Sequence, residues 1–198
     1  MTVAIYIGVE QLFFQAREIK QGAAIMQINL RPTESSDHLF LFELYISTRI
    51  EEVSSRGWDV LQQQAFMRMQ YQAQQWEHHG QYSQIEDYLV LEGVKPIGRL
   101  LISQESSTLH LADIALLASY RNLGIGTGLI RDLQMKAARL GTSIHLQVPK
   151  LSRAVALFDR LGFRVREEQG HFLKMEWLPL AKRVSISRRR NGRGIQRG

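Results

Sequence analysis

The sequence contains no cysteine, which removes disulfides, thiol nucleophiles and thiolate-bound metals from its chemistry at once. No apolar run approaches the ~20 residues that a membrane-spanning helix needs. The first 25 residues interrupt their apolar stretches with Glu10, Arg17, Glu18 and Lys20, and this is not the pattern of a cleavable signal. No acidic residue follows Glu176. These absences set the expectation of a cytoplasmic protein without membrane contact.

What is present is enough for one good core: 198 residues, 44% of them hydrophobic. The net charge of +6 is unevenly placed. Lys182, Arg183, Arg188, Arg189, Arg190, Arg193 and Arg197 supply seven of the 25 basic groups, and the remainder balances 18 basic against 19 acidic side chains. The basicity therefore belongs to the tail. A solvated, disordered end is the default for such a tail, with contact to nucleic acid or another acidic surface the lesser reading.

One stretch organises the chain. Leu109 to Leu117 reads as a buried strand, and Tyr120-Arg121-Asn122-Leu123-Gly124-Ile125-Gly126-Thr127-Gly128 follows it. Ile125, Leu129, Leu133, Ala137 and Leu140 then recur at helical spacing. Glycines at a strand-to-helix turn expose the first amides of the helix, which lack intrahelical partners and carry the positive end of its dipole. That arrangement suits an anion such as a pyrophosphate. A phosphate-binding P-loop would need Lys-Ser/Thr after its last glycine, where Leu129-Ile130 stand. A dinucleotide fingerprint would need Gly or Ala at Leu129 and an acid near Ser143. A purely structural turn is the remaining alternative.

Arg121-Asn122-Leu123-Gly124-Ile125-Gly126 resembles the Arg/Gln-x-x-Gly-x-Gly/Ala signature of the GNAT superfamily, the acyl-CoA-dependent N-acyltransferases. Arg153-Ala154-Val155-Ala156-Leu157-Phe158-Asp159-Arg160-Leu161-Gly162-Phe163 resembles the later helix of that family, which ends in Leu-Gly-Phe. The likeness extends over roughly Gln27 to Trp177. It implies an α/β (α+β) fold: a central mixed, mostly antiparallel sheet of about seven strands, four main helices, and a splay between the fourth and fifth strands.

Strands are expected at Ile28 to Arg31, Tyr88 to Leu91, Ile97 to Ile102, Leu109 to Leu117 and Ser143 to Val148, with a final hairpin from Phe163 to Trp177. The helix after Ser35, Ser36 and Asp37 carries an apolar face of Leu39, Phe42, Ile46, Ile50 and Val53. A second helix from near Asp59 would turn Trp58, Leu61, Ala65, Met69, Ala73 and Trp76 inward. Three regions result: an N-terminal extension over 1–25, an acyltransferase domain over 26–177 and the basic tail over 178–198. The extension is either dispensable, with Met26 as the natural start, or forms an added helix around Gln11 to Lys20.

The resemblance also implies a site. Acetyl-CoA would be the co-substrate, with no metal. Its pyrophosphate would lie on the amides of Leu123, Gly124, Ile125, Gly126 and Thr127, beside Arg121. The backbone of Ile114, Ala115 and Leu116 would pair with the pantetheine arm as an added strand would. The acceptor would be a small-molecule or peptide amine, in a pocket drawn from Gln70, Tyr71, Gln74 and the turn near Gln169. A homodimer is an open option. His110 and Asp113 are the candidate bases, although strict alternation would send them to opposite faces unless a bulge re-aims one. Two departures bear on mechanism: Phe158 occupies the position of the usual thiolate-protonating Tyr, and Leu151 that of an Asn that often touches the cofactor. Direct acetyl transfer from acetyl-CoA to an amine is the function so implied, and a non-catalytic acyl-CoA-binding adaptor using the basic tail is the alternative.

Overall fold

The computed structural model describes residues 17–21, 24–54, 56–82, 84–105, 107–180 and 182. Eight strands form one sheet: β1 (Arg17–Gln21), β2 (Ala24–Pro32), β3 (Ile85–Glu92), β4 (Lys95–Glu105), β5 (Thr108–Leu116), β6 (Ser143–Pro149), β7 (Arg164–Gln169) and β8 (Phe172–Trp177). Their spatial order is β1-β2-β3-β4-β5-β6-β8-β7. Every pairing is antiparallel except β5 with β6. That pair is joined through a helix, as a parallel connection requires. The helices are α1 (His38–Ser54), α2 (Val60–Gln81), α3 (Ile125–Leu140) and α4 (Ala154–Arg160).

The expected element order holds, with one strand more than the expected seven. The extra strand, β1, lies inside the segment set apart as an extension and pairs with β2 from Arg17↔Ile28 to Gln21↔Ala24. A boundary at residue 25 would cut this hairpin. Arg17 to Lys20 are thus strand, not the end of an added helix, and the earlier part of that segment lies outside the described residues. Of the basic tail, Leu178, Pro179, Leu180 and Lys182 are described.

The two faces of the sheet differ in chemistry. On one face Ile28, Val90, Leu100, Ile102, Leu111, Ile144 and Leu146 join Ile125, Leu129, Leu133 and Ala137 of α3 and Phe158 of α4 in the main core. Lys136 of α3, only 6% exposed, reaches Glu86 of β3 at 3.1 Å and pins the helix across the sheet. Gly141, with φ 64°, ends α3 in a left-handed cap.

The opposite face alternates with the first and carries Asp87, Arg99, Leu101, Ser103, His110 and Asp113. Helices α1 and α2 cover it, joined by a smaller apolar cluster around Tyr45, Val53 and Met67. This polarity bears on which sides of α2 and α1 face in. Leu61, Met69 and Trp76 of α2 are 76%, 56% and 82% exposed, and Ala65 and Ala73 are exposed as well. The inward positions are Phe66 and Met67, which pack in that cluster, and Tyr71, Gln74, Gln75 and His78. Gln75 Oε1 accepts a 3.3 Å hydrogen bond from Arg99. The apolar periodicity of α2 thus marks its outer side. On α1, Leu39 and Ile50 are exposed, and Leu41, Leu44 and Tyr45 face in with Val53.

Gly98 of β4 sits where β5 crosses closely. A Cβ there would press on the Ala115 carbonyl oxygen and stand 2.6 Å from Leu116 Cδ2. Gly98→Ala should therefore destabilise the fold by about 1–3 kcal/mol, as overpacking does, which chemical denaturation would read. A midpoint equal to that of the parent would show that β5 yields at no cost.

Candidate active site

A single extra residue shapes the site. Leu101 opposes Asp113 and Ile102 opposes Leu111, which leaves Ala112 as a bulge in β5. A bulge bends its strand and sharpens its twist. Pairing between β5 and β6 ends at that point, running only from Thr108↔Ser143 to Leu111↔Leu146. Beyond it, Ile114, Ala115 and Leu116 pair with β4 alone, while β6 continues with β8 as far as Pro149. The two strands thus open a wedge, and beyond Leu111 the β6-facing edge of β5 has no strand partner among the described residues.

The bulge also puts His110 and Asp113 on the same face, opposite Ser103 and Leu101 of β4. They do not share a site. His110 lies under Tyr82 at 5.3 Å and beside His145 at 5.7 Å, ring to ring, with Glu105 3.5 Å away. Burial lowers its pKa against the pull of Glu105, which keeps the ring neutral at pH 7.

Asp113 instead lines a cavity of about 500 Å³ that reaches the mouth of the wedge. Its walls come from α1 (Leu41, Leu44, Tyr45, Thr48, Arg49), α2 (Tyr71, Gln74), Arg99, Ile114, Ala115, the end of β6 (Pro149) and the turn after it (Leu151, Ser152). Of the four acceptor-pocket positions expected from the sequence, Tyr71 and Gln74 line it and Gln70 and Gln169 do not. The arginines were missed. Arg99 is the only charge between Ile97 and Ile102, and an arginine inside an apolar strand signals a buried partner.

The charges are ordered. Arg99, 6% exposed, donates to both Asp87 oxygens at 2.9 and 2.7 Å. Burial works against its charge, and the hydrogen bonds to Asp87 outweigh that, holding its pKa above the usual value. Asp113 lies 3.9 Å from the same guanidinium and keeps 28% of its side chain accessible from the cavity. Protein walls surround that opening, so burial raises its pKa despite the attraction of Arg99 and Arg49. Burial likewise raises the pKa of Tyr71, leaving its hydroxyl protonated.

Beyond Leu116, Asn122 (φ 62°) and Gly124 (φ 84°) turn the chain into α3. No side chain caps this helix, and its first internal bond runs from Gly128 N–H to the Gly124 carbonyl at 2.9 Å. The amides of Ile125, Gly126 and Thr127 precede that bond and point out of the helix end. Open space extends 4 Å from where a Cβ would stand at Gly124 or Gly126. Arg121 Nε donates to the Leu116 carbonyl at 2.8 Å and ties this turn to the end of β5. An uncapped helix mouth with room above it is what a pyrophosphate fits.

Phe158 is buried in the main core, edge-on to Phe163 at 5.5 Å. Leu151 is fully exposed at the cavity rim. The hydroxyls that line the cavity are those of Tyr45, Thr48, Tyr71 and Ser152. Among the described residues no cluster of three or more His, Asp or Glu could hold a metal ion, and no helix is long and apolar enough to cross a membrane.

Residues 47–163 match the acetyltransferase (GNAT) family. No curated protein matches the chain. Among solved structures, the chain is similar to the PaiA N-acetyltransferase of Thermoplasma acidophilum, solved in complex with coenzyme A. The two are 16% identical with a TM-score of 0.59, over 76% of this chain and 98% of that one. An acetyltransferase of Thermus thermophilus is 17% identical with a TM-score of 0.55, over 76% and 96%. A GNAT acetyltransferase of Staphylococcus aureus is 19% identical with a TM-score of 0.54, over 76% and 98%. At these identities the likeness is one of fold.

The raised pKa of Asp113 has a consequence for stability. Between the ordinary value of 3.8 and the raised one, the native chain holds a proton that the unfolded chain has lost. Stability therefore falls as pH rises through that window. Asp113→Asn should melt higher than the parent at neutral pH and converge with it toward pH 3.5. A lower melting temperature at neutral pH would mean that attraction to Arg99 outweighs burial.

Proposed function

The chain belongs to the acetyltransferase (GNAT) family, and from that premise we propose that it moves an acetyl group from acetyl-CoA directly to an amine acceptor. The observation that carries this reading is the wedge between β5 and β6, with a carboxylate-bearing cavity lined by Asp113, Ile114 and Ala115 and an uncapped helix mouth on the turn that follows β5. In the Thermoplasma relative the same fold is in complex with coenzyme A.

In this reading the amides of Leu123, Gly124, Ile125, Gly126 and Thr127 hold the pyrophosphate, with Arg121 beside them. The β6-facing edge of Ile114, Ala115 and Leu116 aligns the pantetheine arm as an added strand. Acetyl-CoA, when bound, supplies an activated thioester. The chain supplies the rest. An amine with a pKa near ~10.4 arrives as ammonium, and Asp113 attracts it and takes its proton. A raised pKa makes Asp113 a better base than an ordinary carboxylate. His110, outside the cavity lining, is left in a supporting position. A backbone N–H on the β5 edge would stabilise charge developing on the carbonyl oxygen. Phe158 has no proton to give, so the departing sulfur draws on Tyr71, Ser152 or water; a thiol pKa near ~8.5 asks for little help.

Calorimetry with acetyl-CoA and thiol release with an amine panel test this. Gly126→Leu should abolish binding with an unchanged melting temperature, because its side chain enters open space in the free protein. Asp113→Asn should keep acetyl-CoA affinity and lower kcat by about 10²–10⁴-fold. A folded sample that binds no acetyl-CoA would overturn the reading, and binding without turnover of any amine would favour a non-catalytic acyl-CoA-binding module.

A further inference from the structure

Arg49 is the charge in the cavity that the fold does not consume. Its guanidinium lies 4.0 Å from the centre of the Tyr45 ring and donates to Thr48 Oγ1 at 3.0 Å. Among the described residues it forms no ion pair with a carboxylate of this chain. Arg99, by contrast, is engaged by both oxygens of Asp87. The Tyr45 ring and the Thr48 hydroxyl fix the direction of the Arg49 fork at little further cost in side-chain entropy.

The cavity thus presents an acidic and a basic side chain that are not paired with each other. Asp113 stands on its floor and Arg49 on its α1 wall, near enough for Arg49 to draw the Asp113 pKa down against burial. A plain alkylamine would answer only the first of them. A fixed guanidinium open to a cavity recognises a carboxylate through paired N–H donors. From the two together we propose that the acceptor is a zwitterion, an amino acid whose amino group meets Asp113 and whose own carboxylate meets Arg49. A volume of about 500 Å³ is within the range of small-molecule sites. Arg49 is then the residue that sets acceptor specificity. This rests on the acetyl-transfer reading above.

The test compares free amino acids with their carboxamides and with the corresponding decarboxylated amines, using acetyl-CoA-dependent thiol release. The parent should prefer the carboxylate form by about 10- to 100-fold in kcat/KM, the worth of a charge-assisted hydrogen bond. Arg49→Gln should bring that ratio to about one through KM, and Arg49→Lys should restore part of it; melting curves check that each variant is folded. Equal turnover of acid, amide and amine by the parent would overturn the zwitterion proposal and leave acetyl transfer standing. An unchanged ratio in Arg49→Gln would overturn the role of Arg49. No thiol release from any amine, with acetyl-CoA bound, would overturn transfer and this proposal together.

Discussion

Backbone hydrogen bonding between β5 and β6 can continue only while both strands keep their register and twist, and the extra residue at Ala112 ends it. Three features follow from that interruption. The wedge opens beyond Leu111, leaving the rim of β5 without a strand partner. Asp113 swings to the face shared with Arg99 and comes under α1 and α2. The far end of β5 is delivered to the turn at Arg121, whose Nε bond to Leu116 holds strand and helix mouth together. Without the bulge, β5 would run on beside β6 and there would be no gap to line.

The polar face of the sheet is the second constraint. Placing Arg99 in an apolar strand is costly unless its donors are satisfied, and Asp87 and Gln75 do so from β3 and α2. That network fixes which side of α2 faces in, and so which side chains reach the cavity. Asp113 stands 3.9 Å from the same guanidinium, whose shorter bonds go to Asp87. The site therefore retains a carboxylate that the fold alone would hold more cheaply as an amide, a common tension between stability and function.

The main core and the helix mouth could be read directly from the chain. Ile125, Leu129, Leu133 and Ala137 recur at helical spacing and are all buried, and Gly124 adopts the left-handed conformation that a strand-to-helix turn demands. The motif of Arg121 to Gly126 and the Leu-Gly-Phe helix end pointed to the family now matched over residues 47–163. Such features are local: they depend on residues a few positions apart, so the sequence displays them. The phasing of α2 was not accessible in this way. Its most apolar stripe faces outward, because the surface it covers is charged, and that charge lies on β3, β4 and β5, further along the chain.

The alphabet and spacing of residues were enough to set the element order after β1, the main apolar core against α3 and the exposed amides of the glycine turn. Tertiary structure alone decided that His110 and Asp113 share a face yet not a cavity, that Phe158 is core, and that Arg49 stands across from Asp113. The reason is the same in each case. A one-residue bulge reverses the alternation for everything after it, and whether Ala112 is paired or bulged depends on β4 and β6 rather than on Ala112.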